Sequence, residues 1–300
     1  MDELLIYAVL IIFGLLLGSF AGASVWRLRA RQLVEDKAEG ENVDSAEYEQ
    51  LLPLTKARVR EDRSRCLHCE HPLAWYDLLP LVSWVSLGGK CRYCRTKIGS
   101  FEPLMEIGMA TFFAASYFFW PLPLDSAIMI FYFIAWLIAG VLLIILFAYD
   151  LKWFLLPDVI VFPLIGIGGV MAIIKIVTAA DLVSALVSTI GAVAILSGLY
   201  YLLHWISKGQ WIGFGDVKLG LALSLLLADW QLAFIALFSA NLLGCFIVIP
   251  AMLMKKLTRT TRVPFGPLLI IGAVIAMLGG VWLQATYIDA MQRLTALLLG

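Results

Sequence analysis

Two aspartates stand at the edges of long apolar stretches in this 300-residue chain, where ionisable side chains are scarce. Asp150 closes one hydrophobic run, and Asp216 lies in the segment Gly213-Phe214-Gly215-Asp216 that precedes another. An ionisable side chain at membrane depth costs roughly 2.5–3.5 kcal/mol to insert, so it is usually retained for a task. Two carboxyl groups that face one water molecule share a proton and can act as an acid and a base. Asp150 and Asp216 are therefore our candidate catalytic residues.

Such a pair can hydrolyse a peptide bond without a metal ion or a covalent nucleophile. The residues around Asp216 suit this task, since Gly213 and Gly215 permit φ > 0 and close approach of an extended chain. Lys218 lies near the predicted start of the next helix. Asp216 near a helix start, with Lys218 close by, should be ionised, while Asp150 at a helix end should be neutral. As a bare pattern G-x-G-D is short, and a plain helix cap is the alternative interpretation.

Two further acids lie at predicted helix edges. Asp158 follows Pro157, which favours a helix start at that point. We interpret Asp158 first as an acid stabilised by the helix dipole, and alternatively as support for the catalytic motif. Glu106 lies at the edge of an apolar run and is either a cofactor-binding residue or an ordinary interface acid.

Four cysteines form two C-x2-C pairs separated by 21 residues: Cys66, Cys69, Cys91 and Cys94. Two such knuckles can complete a closed tetrahedral zinc site, which is structural rather than catalytic. Two disulfides or four free thiols are the alternatives, and a reducing cytosol argues against disulfides. The fifth cysteine, Cys245, is expected to be a small buried hydrophobic residue.

The composition indicates a membrane protein. The chain is 62% hydrophobic and 15% charged, with a mean hydropathy of +0.91. Soluble domains have about 45–50% apolar and about 25% charged residues. We therefore expect the lipid bilayer as a partner and no nucleic acid, and the sequence does not indicate the oligomeric state.

Apolar runs long enough to cross a bilayer, at about 20 residues each, predict an all-α polytopic fold of about eight transmembrane helices. A cytosolic zinc-binding loop domain is expected between helices 1 and 2. The sixth run is short. The eight runs are Leu4–Val25, Leu104–Trp120, Ser126–Tyr149, Phe154–Val177, Leu182–Trp205, Val217–Leu227, Gln231–Met254 and Phe265–Leu283.

The charge distribution predicts the orientation. The loop from Arg27 to Glu102 carries 13 of the 22 Lys and Arg residues, and 19 of the 22 collect on one side of the predicted topology. The positive-inside rule places that side in the cytosol. Both termini are then outside, while the zinc loop, Asp150 and Asp216 face the cytosol. Residues 32–65 are expected to be solvated and at most partly helical.

Several motifs in this order resemble the type IV prepilin peptidases, which are bifunctional leader peptidases and N-methyltransferases of pilus and type II secretion systems. The resemblance covers nearly the whole chain. Its motifs are Gly18-Ser19-Phe20 with Arg27, the two C-x2-C pairs around Leu79-Pro80-Leu81-Val82-Ser83-Trp84, Pro103-Leu104-Met105-Glu106, Asp150 through Pro157-Asp158, Gly213 to Lys218, and Val263-Pro264-Phe265-Gly266-Pro267.

This resemblance implies an aspartic peptidase of the G-x-G-D class in the bacterial inner membrane, with Asp150 and Asp216 as its catalytic pair. Family members cut the leader from prepilins or pseudopilins at the cytosolic face and methylate the new amino terminus with S-adenosylmethionine. The implied division is a first transmembrane helix at 1–26, a methyltransferase-associated zinc loop at 27–103 and a peptidase domain at 104–300.

The chain departs from the family pattern at Gly22, Leu78 and Gly88, all in the part tied to methyl transfer. These departures leave the peptidase expectation intact and weaken the methyltransferase one. Two other classes of function remain open on the residues alone. An ion- or proton-coupled transporter would use the acids as a relay, although it should spread charges across the bilayer depth. A non-catalytic secretion-system scaffold would keep working with alanine at either aspartate.

Overall fold

The apolar runs become helices, because only a helix satisfies its own backbone hydrogen bonds at membrane depth. The computed structural model describes residues 3–55, 63–256 and 263–299, and no extended strand is found in those ranges. The helices are α1 (Glu3–Ala38), α2 (Ser45–Leu51), α3 (Val82–Ser86), α4 (Phe101–Phe118), α5 (Ala127–Trp153), α6 (Asp158–Thr178), α7 (Leu182–Val193), α8 (Leu199–Ser207), α9 (Phe214–Leu227), α10 (Trp230–Leu253) and α11 (Gly266–Leu299). A π-helical turn, Ala194–Gly198, joins α7 to α8.

Six helical segments in the described part of the chain are long and apolar enough to cross a membrane. They are α1, α5, α6, the α7–α8 segment Leu182–Ser207, α10, and Gly266–Arg293 of α11. The predicted all-α, multi-pass membrane fold is confirmed. The predicted second and sixth spans form α4 and α9 but are not among the six, because α4 carries Glu102 and Glu106 in 18 residues and α9 has only 14 residues.

The chain forms two compact units, Met1–Tyr117 and Phe118–Gly300. The first contains α1, the cysteine loop and nearly all of α4, and the second contains α5 to α11. The division into 1–26, 27–103 and 104–300 is a functional one and stays a prediction.

In the first unit, glycines bring α1 against α4. A Cβ atom at Gly14 would lie 2.6 Å from the Cα of Ala110, and one at Gly18 would lie 2.6 Å from the Cα of Glu106. Small residues at helix interfaces permit this approach in membranes. The Gly18-Ser19 motif is therefore a packing site for α4.

The charged segment 32–65 is partly helical, as predicted. The expectation that it is solvated was wrong for part of it, since Leu33 of α1 and Leu51 of α2 are buried in a small apolar cluster. The cluster is formed by apolar residues that lie between the charged residues of this segment. The overall composition of the segment does not reveal them. Residues 56–62 of the segment lie outside the described residues.

In the second unit, the short helix α9 is packed on several sides by its neighbours. A Cβ atom at Gly220 would lie 2.2 Å from the carbonyl oxygen of Leu196, in the π-helical turn. On another side, a Cβ atom at Gly168 of α6 would lie 3.0 Å from the carbonyl oxygen of Ala222. Because other helices enclose it, α9 does not need the length of a lipid-facing span.

The end of α9 is closed by a lysine from another helix. Lys175 of α6 donates hydrogen bonds to the carbonyl oxygens of Leu227, at 3.3 Å, and Ala228, at 2.9 Å. Asp229 lies 3.7 Å from the same ammonium group. The last carbonyls of a helix have no partner within it, so the ammonium group takes the place of water there.

We predict that Lys175→Met lowers the free energy of unfolding of the detergent-purified protein by about 1–2 kcal/mol, since it leaves the end of α9 unsatisfied. Thermal unfolding followed by circular dichroism measures the change. Arg293→Met is the matched control, because its ion pair with Asp289 is highly exposed and contributes little. Equal stability of the two variants would contradict the role given to Lys175.

Candidate active site

Asp150 lies in the last turn of α5 and is 5% exposed. Its Oδ2 atom accepts a hydrogen bond from the backbone N–H of Gly266, at 3.1 Å. Gly266 is the first residue of α11, and the N–H groups at a helix start are free to bind anionic groups. The carboxyl group of Asp150 is thus held at the start of a helix 116 positions away in sequence.

Position 266 accepts only a glycine without rearrangement. A Cβ atom there would lie 2.6 Å from Oδ2 of Asp150, far inside van der Waals contact, and 3.5 Å from Leu219. The segment Val263-Pro264-Phe265-Gly266-Pro267 therefore contributes a bare backbone donor to this carboxyl group. From the sequence alone, this segment stands out only through the family resemblance.

Asp216 lies in the first turn of α9 and is half-buried. Gly213 caps that helix with an extended backbone, at φ −71°, so the positive φ expected of this glycine is not used. Gly215 is instead needed for space, because a Cβ atom there would lie 3.3 Å from the Leu156 side chain. The second glycine of G-x-G-D thus allows close approach of the α5–α6 connection.

The structure brings the two candidate catalytic residues together. Asp150 and Asp216 lie close enough for their charges to interact, although they come from different helices of the second unit. The expectation that Asp150 holds the proton stays a prediction; its carboxyl group lies at the end of α5 and also at the start of α11. The helix dipoles therefore do not distinguish the two carboxyl groups.

Two of the four predicted support residues, Gly213, Gly215, Lys218 and Asp158, pair with each other. The ammonium group of Lys218, on α9, donates a hydrogen bond to Oδ1 of Asp158, the first residue of α6. The same ammonium group lies 5.5 Å from the ring centroid of Phe214 and 5.7 Å from that of Phe162. This ion pair ties the G-x-G-D turn to the start of α6. Asp158 thus lies at a helix start, as its first interpretation requires, and contacts the G-x-G-D segment, as its second requires.

One residue beside the acids was missed by the sequence analysis. Tyr200 of α8 is 4% exposed and lies within electrostatic range of Asp216. Its ring centroid is 5.6 Å from that of Phe265, the neighbour of Gly266. Within an apolar run, this tyrosine gave no signal that separated it from Tyr201 beside it.

In the first unit, the four predicted ligand sulfurs form one cluster. The Sγ atoms of Cys66, Cys69, Cys91 and Cys94 all lie within 4.8 Å of one another, and those of Cys66 and Cys94 are 3.9 Å apart. Zn–S bonds of about 2.3 Å in a tetrahedron separate the sulfurs by about 3.8 Å. The cluster therefore has the dimensions of a four-sulfur zinc site.

The two knuckles repeat one hydrogen-bond pattern. The N–H of Cys66 donates to the carbonyl of His71, and the N–H of Cys91 donates to the carbonyl of Thr96. Each knuckle then turns through a residue of positive φ, Glu70 in one and Arg95 in the other. This shared backbone directs both sulfurs of each knuckle to one point. Cys245 was expected to be buried, but it is exposed on the surface of α10.

The thiol pKa values of Cys94 and Cys91 are shifted in opposite directions. Hydrogen bonds from Thr96 lower the pKa of the Cys94 thiol to about 6, so it is mainly a thiolate at neutral pH. Burial raises the pKa of the Cys91 thiol above its ordinary value. A bound metal ion deprotonates its thiol ligands, and Cys94 already offers the charged form that zinc requires.

A buried acid supports the second knuckle. Burial of Asp77 opposes its ionisation, but hydrogen bonds from Arg92 and Tyr93 outweigh that effect and lower the pKa of this carboxyl group. The Arg92 bond is 2.7 Å long and the Tyr93 bond 3.0 Å. Asp77 thus fixes the two residues between Cys91 and Cys94. Sequence analysis missed it, since nothing in the local pattern marks its partners.

Glu106 of α4 is buried and already has partners. Its Oε2 atom accepts a hydrogen bond at 2.8 Å from the N–H of Leu81, a residue held at φ +58°, and the Ser19 hydroxyl lies beside the same carboxyl group. Glu106 therefore holds the loop and α1 to α4. It is not a solvent-facing interface acid.

Two family models match the chain, one mainly within the first unit and one within the second. The bacterial peptidase A24 N-terminal domain matches residues 12–120, and the type IV leader peptidase family matches residues 137–249. A prepilin leader peptidase/N-methyltransferase of Aeromonas hydrophila is 30% identical over 291 residues, covering 92% of this chain and 91% of that protein. No solved structure gives a significant match.

Two further relatives extend the same finding. The type 4 prepilin-like proteins leader peptide-processing enzyme of Escherichia coli O78:H11 is 30% identical and covers 91% of this chain and 93% of that protein. A prepilin leader peptidase/N-methyltransferase of Stutzerimonas stutzeri is 28% identical, with 93% and 92% covered. Relatives at this identity that span nearly the whole chain establish that the protein is a multi-pass membrane member of the type IV leader peptidase family.

Proposed function

We propose that the protein is an aspartic endopeptidase that removes the leader from prepilins or pseudopilins, with Asp150 and Asp216 as the catalytic pair. The observation that carries this proposal is the approach of two acids at the ends of α5 and α9, with the Gly266 N–H bound to one of them. The names of the relatives supply the substrate class. The positive-inside charge bias supports a cytosolic active site and zinc loop, with both termini outside in the inner membrane.

The proposed reaction needs only the two carboxyl groups and one water. The ionised carboxyl takes a proton from water as the oxygen bonds to the scissile carbonyl carbon, and the protonated carboxyl gives its proton to the carbonyl oxygen. The tetrahedral diol then collapses. The amide nitrogen receives a proton from the first carboxyl as the C–N bond breaks, and one diol hydroxyl returns a proton to the second.

We also propose that the protein methylates the new amino terminus, with S-adenosylmethionine as the methyl donor. The names of the relatives, which include N-methyltransferase, support this activity. Glu106 stays the candidate cofactor-binding residue, although its bonds to the Leu81 N–H and Ser19 favour a structural role. The four cysteines are proposed zinc ligands, and the ion would hold the loop between α1 and α4 in its fold.

The other two classes of function are less well supported. A proton or ion relay needs charged groups along the bilayer depth, whereas the two acids lie together at the edges of α5 and α9. A scaffold does not need Gly266 directed at a buried carboxyl group. Prepilin cleavage separates all three, because only a peptidase cleaves the leader and then loses that cleavage when either Asp is replaced by Asn.

We predict that Asp150→Asn and Asp216→Asn each lower prepilin cleavage by roughly 10³-fold or more, since neither half of the pair works alone. Purified protein in detergent is incubated with a prepilin, and mass spectrometry reads the amino terminus of the product. Asp181→Asn is the matched control, because Asn keeps the cap that Asp181 provides to α7.

Near-normal cleavage by either active-site variant would contradict the paired mechanism. The same spectra report methylation separately. With S-adenosylmethionine present, the mass of one methyl group on the product supports the second activity, and its absence from a cleaved product rejects it.

We predict that Gly266→Ala lowers kcat on the order of 10- to 100-fold, because the new methyl group displaces the Asp150 carboxyl group from its partner. Gly279→Ala is the control on the same helix, where a Cβ atom meets nothing within 4 Å and alanine favours the helix. Steady-state kinetics and thermal unfolding separate the two effects. Equal kcat for the two variants would show that the Gly266 contact is not needed.

We predict one zinc ion per chain, bound by the cysteine cluster and lost in the variant Cys66→Ser. Elemental analysis of purified protein measures the metal, and limited proteolysis of the loop measures its order. Cys245→Ser should keep the metal, since that residue lies on α10 and outside the cluster. Full zinc content in the Cys66→Ser protein would contradict the proposed ligand set.

A further inference from the structure

We propose that Tyr200 is a third catalytic residue, whose hydroxyl group donates a hydrogen bond to the oxygen of the attacking water beside Asp216. This inference rests on the proposed peptidase function and extends it. The first observation is the state of that hydroxyl group. It is buried and has no hydrogen-bond partner among the residues that the structure describes.

A buried hydroxyl group without a partner is rare. Most buried polar groups bond to protein or to ordered water, and leaving one unsatisfied costs free energy. Tyr200 is only 4% exposed, so bulk water does not supply the missing hydrogen bond. The hydroxyl group of Tyr200 therefore has a free donor for a molecule that enters the site.

The second observation is the position of this donor. Tyr200 lies in electrostatic range of Asp216 on one side and packs against Phe265 on the other. The next residue, Gly266, donates to Asp150. Tyr200 thus lies beside Asp216, on α9, and beside the start of α11, which binds Asp150. A water between the two carboxyl groups would bind next to it.

The third observation explains how this position is fixed. Ser197, in the π-helical turn, and His204, in α8, lie before and after Tyr200 in sequence, and each contacts the chain near Asp216. The Ser197 hydroxyl donates to the carbonyl of Val217, at 3.1 Å, and Nδ1 of His204 lies 2.8 Å from the carbonyl of Ile212. The segment that carries Tyr200 is therefore held to the chain on both sides of Asp216.

The π-helical turn before α8 makes this arrangement possible. Its Leu196 carbonyl approaches α9 so closely that a Cβ atom at Gly220 would lie 2.2 Å from it. An extra residue in one helical turn rotates the residues that follow, and such turns are frequent at functional sites. Here the rotation brings Tyr200 to Asp216 and leaves Tyr201 55% exposed.

In the reaction, Tyr200 transfers no proton. The water oxygen accepts its hydrogen bond while giving a proton to the ionised carboxyl, and keeps that bond as a hydroxyl oxygen of the tetrahedral diol. The hydroxyl group of Tyr200 thus holds the same oxygen from attack to collapse. A donor fixed in advance stabilises the transition state without reorganisation of the site.

The test is Tyr200→Phe, which removes one oxygen and keeps the ring against Phe265. We expect kcat for prepilin cleavage to fall roughly 10- to 100-fold with KM within about 2-fold. The unfolding temperature should not fall, because the lost hydroxyl group has no partner in the folded protein. Tyr201→Phe should keep the wild-type kcat.

Tyr132→Phe is the second control. The hydroxyl group of Tyr132 is buried and donates to the carbonyl of Met171, so its loss should lower the unfolding temperature and leave kcat unchanged. An unchanged kcat in Tyr200→Phe would overturn the proposal, as would a fall in kcat that follows a fall in unfolding temperature. Failure of the wild-type protein to cleave prepilin would instead reject the peptidase function, and this inference with it.

Discussion

The second unit places carboxyl groups inside an apolar helical bundle, where protein groups must supply the hydrogen bonds that water would otherwise provide. A carboxylate at that depth is tolerated only when donors surround it. The start of α11 supplies such a donor to Asp150, and the absence of a side chain at Gly266 lets the backbone come within 3.1 Å. Packing and chemistry therefore meet at Gly266, where the absence of a Cβ atom permits the contact with Asp150.

The same constraint shapes α9. A helix of 14 residues cannot cross the bilayer alone, so its end must be closed inside the protein. Lys175 closes the carbonyl end, and the α6–α9 ion pair of Asp158 and Lys218 holds the other end. Because both ends of this short helix are bound by α6, Asp216 is held at a defined position in the protein.

Much of this could be predicted from the sequence, where the signal is local. Spacing alone predicted the cysteine cluster, since two knuckles have few other uses. The apolar runs predicted all six helical segments that are long and apolar enough to cross a membrane, and also α4 and α9, which are not among them. The helix start at Asp158 followed from Pro157. Charge density was a poorer guide, because it concealed the buried leucines within the polar segment 32–65.

What the sequence did not provide were the contacts between distant elements. Gly266 is 116 positions from Asp150, and no local pattern indicates which helix start meets which acid. Tyr200 and Tyr201 are equivalent in an apolar run until a π-helical turn rotates one inward. The role of Lys175 was hidden in the same way, because its partners are backbone carbonyls, which every residue has.

We propose that Asp150 and Asp216 share one water molecule. The most direct measurement is the position of both carboxyl groups in an experimental structure of the protein in lipid with a bound prepilin segment. We expect one oxygen within hydrogen-bonding distance of both carboxyl groups, at roughly 2.6–3.2 Å. Carboxyl groups too far apart to contact a common oxygen in that complex would contradict the claim.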